Sequence, residues 1–150
     1  MRVIIQKVKE ANVKIAGEIV GEIKKGYVLL VGFTHGDDQE ECDYCARKIA
    51  KMRLFEDEEG KMNLSLDQIN GQILSVSQFT LYAATRKGNR PGFTEACDPE
   101  IASDLYEYFN DQLRSYGYEV QTGNFGSHMN VSLQNDGPVT IILDSVADRQ

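Results

Sequence analysis

The chain has 150 residues, 41% of them hydrophobic and 26% charged, and a formal net charge of −7. That length predicts one domain over residues 1–150, with a core large enough to need neither metal nor disulfide. The acidic balance excludes a general nucleic-acid coat, so a nucleic-acid partner would have to meet a local basic patch.

In chain order, "MRVIIQKV", "ANVKIAGEIVGEI" and "YVLLVGF" are β-branched runs within residues 1–34, punctuated by Gly17, Gly21 and Gly26. Gly17 reads as a hairpin turn between Val13–Ile15 and Ile19–Ile23. Arg2, Lys7 and Lys9 interrupt the first apolar stretch, which therefore does not read as a secretory leader. No apolar run is long enough to cross a bilayer as a helix. Three cysteines, an odd number without an export signal, suit a reducing, cytoplasmic setting. Residues 38–53 switch to a period of 3.6. Cys42, Cys45, Ala46, Ile49 and Ala50 share one helical face, and Asp38 with Glu41 is spaced for a capping box.

"RLFEDEEGKMN" predicts a short hairpin turned at residues 56–60, and "GQILSVSQFTL" a further strand. A second helix is expected from about Pro99 to Tyr116, with Asp98 as N-cap, Pro99 at the first helical position and Gly117 closing it. Its apolar stripe would be Ile101, Leu105, Tyr108, Phe109, Leu113 and Tyr116. Residues 82–97 and 122–128 carry little regular pattern, and Phe93 and Phe125 would anchor them. The last strand alternates Met129, Val131 and Leu133, then Val139, Ile141 and Leu143. Asp136, Gly137 and Pro138 interrupt it, although proline donates nothing to a ladder. The sum is a single compact α/β domain with a mixed or antiparallel sheet and two main helices.

Chemistry is sparse. Cys42 and Cys45 form a C-x-x-C, but two turns into an amphipathic helix they read as core residues rather than a metal or redox pair. His35 and His128 are the two histidines, and no nucleophile elbow, Walker loop or dinucleotide fingerprint accompanies them. His35 could be catalytic between a strand and a helix, or simply sit on a surface loop. Along "SVSQFTLYA", alternation from Leu74 and Val76 carries Gln78 and Thr80 onto the same face. Polar groups there need partners or a cavity that water or substrate enters. Arg86, Lys87 and Arg90 crowd around a glycine in "TRKGNRPGF", either a solvated loop or an anion-binding patch suited to phosphates.

"SQFTLYAATRKGNRPGF", "TGNFGSHM" and "NDGPVTIILDS" resemble the motifs of the D-aminoacyl-tRNA deacylases, and "ARKIAKMRLFEDEEGKMNLSL" agrees. The resemblance covers essentially the whole chain in order. It implies a barrel-like fold and a homodimer with an active site built across the subunits; no cofactor or metal is expected, because the residues offer no credible ligand set or cofactor motif. The implied reaction is hydrolysis of the ester joining a D-amino acid, or glycine, to the 3′ end of transfer RNA. Ser77, Gln78, Phe79 and Thr80 would line the catalytic pocket. Gly137 and Pro138 would be the chirality filter, joined by a cis peptide bond and inserted into the partner's pocket. Two carbonyls aimed the same way could accept the substrate's α-ammonium and leave no room for an L side chain. Lys7 departs from the family, which commonly has an arginine there that helps hold the Gly-Pro turn.

An aminoacyl ester is already activated, and the terminal ribose offers a neighbouring 2′-hydroxyl. The enzyme would then mainly orient the ester and stabilise an oxyanion with backbone N–H groups near Phe79 and Thr80. Arg86, Lys87 and Arg90 are the candidate phosphate contacts. Two other readings stand beside this one: a trans-Pro relative acting on an L-aminoacyl-tRNA, and a non-catalytic RNA-binding module.

Overall fold

The computed structural model describes residues 1–150, and one strand organises the others. Strand β1 (Arg2–Ile15) runs unbroken where the sequence suggested two segments. Along one edge it pairs antiparallel with β3 (Gly26–Gly32) through Arg2–Val8 and with β2 (Glu18–Ile23) through Ala11–Ile15. Along the other it pairs with β8 (Asn130–Asp144). Ala16 and Gly17, at φ 50° and 82°, make the β1–β2 turn. Both are left-handed, the combination that follows the natural twist of a hairpin.

The remaining strands continue from β3. It lies parallel to β6 (Gln72–Ser77), which lies parallel to β7 (Val120–Thr122). Three residues are too few to show alternation, and β7 was not legible in the sequence. A Cβ built on Gly21 of β2 would lie 2.9 Å from the Thr122 carbonyl and 3.2 Å from the Leu74 side chain. The far ends of the sheet therefore curl toward each other, the barrel-like form expected. Strands β4 (Arg53–Glu56) and β5 (Met62–Ser65) form the separate acidic hairpin. There the Asp57 carboxylate accepts the N–H groups of Glu59 and Lys61, at 2.9 and 3.0 Å.

Two helices cover one sheet face. Helix α1 (Gln39–Lys51) buries Cys42, Tyr44, Cys45, Ala46, Ile49 and Ala50, with glutamates in its first turn and lysines in its last, matching its dipole. Asp38 caps it through Glu40 N–H, but Glu41 turns away to Arg149, so the expected capping box does not close. Helix α2 (Pro99–Ser115) buries Ala102, Leu105, Tyr106, Phe109, Asn110 and Leu113. Its face is rotated from the expected stripe: Ile101 and Tyr116 are exposed, and Ala102 and Tyr106 take the interior. The main core lies between these helices and Val3, Ile5, Tyr27, Leu29, Ile73 and Leu143 of the sheet. Cys42 and Cys45 are part of it, and burial pushes each thiol up to about 12. A smaller core inside the curl holds Val8, Val13, Ile23, Val28, Leu74 and Val76.

The interruption in β8 is real but does not end the strand. Gln6 pairs with Thr140 and Val8 with Asn135, so residues 136–139 stand opposite Lys7 alone. The Asn135 side chain closes this bulge: its Oδ1 accepts Val139 N–H at 2.8 Å and its Nδ2 donates to Thr140 Oγ1 at 2.9 Å. Gly137 sits at φ 131°, where an added Cβ would meet Val139 Cγ2 at 2.8 Å, so a side chain is refused on two grounds. The Gly137–Pro138 peptide bond is cis, the isomer implied by the resemblance.

The rotated α2 face has a direct check in urea unfolding. Phe109→Ala should cost about 3–5 kcal/mol by opening the core, whereas Ile101→Ala should stay within about 0.5 kcal/mol.

Candidate active site

Parallel strands place their carboxyl ends side by side, and ligands of α/β sheets collect there. A cavity of about 550 Å³ opens at the ends of β3 and β6. Its walls come from Val31–Phe33 and Val76–Phe79, from Phe93, from the residues entering α2, and from Phe125–Met129. Most of the lining is apolar, and Asp98 and His128 bring the charge-bearing groups other than the Cys97 thiol. Asp98 holds the N-cap position of α2, but its side chain makes no capping hydrogen bond and faces solvent. Burial, then the Asp98 charge, pushes the Cys97 thiol upward.

The expected strand over "GQILSVSQFTL" ends at Ser77. Phe79–Tyr82 instead form a single 3-10 turn, so alternation does not carry Gln78 and Thr80 onto the Leu74 face. Those two polar groups satisfy each other, the Gln78 amide donating to the Thr80 hydroxyl. The turn lies flat on β3 because Gly32 has no side chain. A Cβ there would sit 2.9 Å from the Gln78 carbonyl and 3.0 Å from Leu81 Cβ. Gln78 N–H donates to Val31 O at 2.7 Å, fixing where the turn begins. The first bond closing the turn is Leu81 N–H to Gln78 O at 3.2 Å. The N–H groups of Phe79 and Thr80 precede it and have no partner within the turn.

The opposite wall is pinned to the end of β3. Cys97 N–H donates to Phe33 O at 3.0 Å, Thr34 Oγ1 donates to Glu95 O at 2.5 Å, and His35 Nε2 meets Thr94 O at 2.7 Å. That bond occupies His35 on the loop, and neither histidine is hydrogen-bonded to Ser77 or Thr80. Phe93 crosses the mouth and meets Phe79 edge-on, ring centroids 5.2 Å apart at 70°. Both rings are more than a third exposed, at 39% and 57%. Aromatic faces held open in this way suit a flat ligand.

Of the sequence candidates, Ser77, Gln78 and Phe79 line the cavity; Thr80 does not, but is tied to Gln78. Arg86, Lys87 and Arg90 lie on an exposed loop closed by the Ala84–Gly92 pair, bonded at 2.8 and 2.9 Å. Arg86 approaches Glu95 at 3.9 Å while 82% exposed, too loosely to be engaged. Gly137 and Pro138 are exposed and line no part of this cavity. Lys7 is buried, and its ammonium rests 5.4 Å from the Phe55 ring centroid without a hydrogen bond to residues 136–139. Asp98 and Cys97 were not singled out as pocket residues in the sequence, since only the fold brings the start of α2 beside β6.

Comparison with known proteins covers nearly the whole chain. A family model described as D-Tyr-tRNA(Tyr) deacylase fits residues 4–144. A D-aminoacyl-tRNA deacylase of Lactobacillus acidophilus is 59% identical over 144 residues, covering 96% of this chain and 99% of that protein. One of Staphylococcus aureus strain JH9 is 56% identical over 145 residues, covering 97% and 96%. Among solved structures, a c-Myc DNA Unwinding Element Binding Protein superposes with TM-score 0.90 at 41% identity, over 96% of this chain and 98% of that one. A second, described as a probable eukaryotic D-amino acid tRNA deacylase, superposes with TM-score 0.81 over 95% and 97%. At 18% identity it speaks for the fold alone.

Proposed function

The chain belongs to the D-Tyr-tRNA(Tyr) deacylase family, and we infer that it hydrolyses the ester of D-aminoacyl-tRNA, releasing the amino acid and the tRNA. The observation that carries this reading is the seating of Ser77, Gln78 and Phe79 in the wall of a 550 Å³ cavity, with unpartnered N–H groups beside them. Neither histidine is hydrogen-bonded to Ser77 or Thr80, and an activated ester needs no strong nucleophile. Backbone N–H groups of Phe79 and Thr80 would receive the oxyanion as the carbonyl is attacked. The 2′-hydroxyl of the terminal ribose would assist from the substrate side, because Thr80 lacks a base beside it. The aromatic pair Phe79 and Phe93 would hold the nucleotide end of the substrate. Chain by chain, Gly137 and Pro138 would enter the cavity of a second copy and reject an L side chain. Their exposure and their absence from their own cavity favour this arrangement. Arg86, Lys87 and Arg90 would meet tRNA phosphates from the loop next to Phe93.

A substrate series checks the reaction. D-tyrosyl-tRNA and glycyl-tRNA should lose their amino acid while L-tyrosyl-tRNA survives, and equal cleavage of both enantiomers would remove the selector from Gly137–Pro138. A substrate with a 2′-deoxy terminal adenosine and its ester on the 3′ oxygen should react at least about tenfold slower, a larger loss than Thr80→Ala causes. The reverse order returns the decisive hydroxyl to Thr80.

The basic loop has its own signature. Replacing Arg86, Lys87 and Arg90 with glutamine should raise KM for aminoacyl-tRNA and flatten its salt dependence, leaving kcat nearly unchanged. An unaltered salt slope would leave these side chains without a phosphate.

Trans insertion is checked by mixing two defective chains, one altered at Phe79 and Thr80, the other at Gly137 and Pro138. After joint refolding, about a quarter of all sites should combine two intact halves, because a two-fold pair exchanges equivalent patches. D-selective turnover absent from either parent supports insertion across the interface. No recovery, with mixed dimers present and folded, rejects it.

A further inference from the structure

The 3-10 turn Phe79–Tyr82 is too short to hold its own shape. Fixing so few residues costs more conformational freedom than its few i to i+3 bonds return. Its start is held to the sheet by Gln78 N–H on β3, whereas the backbone bonds at its end run within the turn and to the Gly92 loop rather than to the sheet. The group that would cap the Leu81 carbonyl, Ala84 N–H, is committed to Gly92 O at 2.8 Å. Leu81 O is therefore free to be taken by something outside the turn.

Arg2 takes it. Its Nη1 donates to Leu81 O at 2.7 Å, its Nε donates to the Asp144 carboxylate at 3.1 Å, and the guanidinium carbon lies 4.5 Å from the Tyr82 ring centroid. Asp144 is itself immobilised, its Oδ1 accepting Val146 and Ala147 N–H at 3.0 Å each. Burial alone would raise its carboxyl, but those two N–H groups and then Arg2 hold it below the usual carboxylate range. The arrangement joins the first residue of β1, the last residue of β8 and the far end of the Phe79–Tyr82 turn through one side chain.

We propose that Arg2 is a positioning residue for deacylation: by holding the Leu81 carbonyl against β1 and β8, it sets the direction in which the Phe79 and Thr80 N–H groups point. This rests on the reading of those N–H groups as oxyanion donors. Arginine is required by geometry rather than charge. Two donors must diverge toward an anion and a carbonyl while the plane stacks on a ring, and a lysine ammonium can satisfy only part of that set. An ordinary surface ion pair of this exposure, 36% and 18%, would contribute little to stability. The value of the contact lies in aim, and misplacing catalytic donors by a fraction of an ångström to one ångström lowers rate far more than it lowers stability.

The test uses the full chain with Arg2→Lys, Asp144→Asn and the double variant. Steady-state deacylation of D-tyrosyl-tRNA should show kcat down roughly 10- to 100-fold with KM within about twofold. The double variant should be no worse than the weaker single, since both remove one arrangement. In amide NMR spectra of the free protein, the Phe79 and Thr80 signals should shift or broaden while those of Leu74 and Val76 stay in place. If Arg2→Lys does not fold, the near-isosteric Asp144→Asn carries the same comparison. Turnover within twofold of wild type in a folded variant overturns the proposal. So does a loss of turnover that comes with shifted Leu74 and Val76 signals, which would mean a merely structural role. Wild-type protein without turnover would remove the deacylase reading itself; the spectra still judge the contact, because unmoved Phe79 and Thr80 signals overturn it.

Discussion

Everything in this fold is measured from the two edges of β1. An extended strand has two rows of hydrogen-bonding groups and can serve two partners at any point. β1 is long enough to serve three by changing one partner midway, from β3 to β2, while β8 keeps the other edge throughout. The sheet curls because β2, on the same edge of β1 as β3, comes back against β6 and β7 at Gly21, where the absence of a side chain permits the approach. The cavity follows from the curl. It opens where β3 and β6 end together and where α2 begins, so its walls are delivered by elements far apart in sequence.

The strands and helices were largely legible because their periods differ and because the punctuation was plain. Gly17 marked a hairpin, Pro99 a helix start, and Asp136–Pro138 a fault in an otherwise regular strand. The rotated face of α2 was harder. Ile101 and Tyr116 carry apolar bulk like their neighbours, but Tyr106 is drawn inward by its hydroxyl's bond to Ser75 O of β6 and by the Phe125 ring, neither of which is local in sequence. β7 escaped because its pairing with β6 is a matter of three residues arriving beside a partner already in place.

The candidate site was legible as motifs, not as geometry. "SQFT" was identified, but alternation was extended through it, whereas the chain abandons the strand at Ser77 and coils. No local pattern announces a four-residue turn that packs against Gly32 and is bonded by Arg2 from the start of β1. The same limit applies to Gly137 and Pro138. Their sequence context marks them as special, but their distance from the cavity of their own chain is a property of the folded sheet.

The bulge at residues 136–139 has one more effect. β8 is fifteen residues long and pairs only with β1, leaving its second edge open. A long open edge invites neighbours to add themselves strand upon strand, the route to fibrils. Proline has no N–H to offer there, and the bulge throws the register out on either side. The edge is thereby cut into two short segments, Asn130–Asn135 and Thr140–Asp144, each too short and too misaligned to template an endless ladder. The interruption that marks this strand as unusual thus also keeps its open edge from recruiting copies without end.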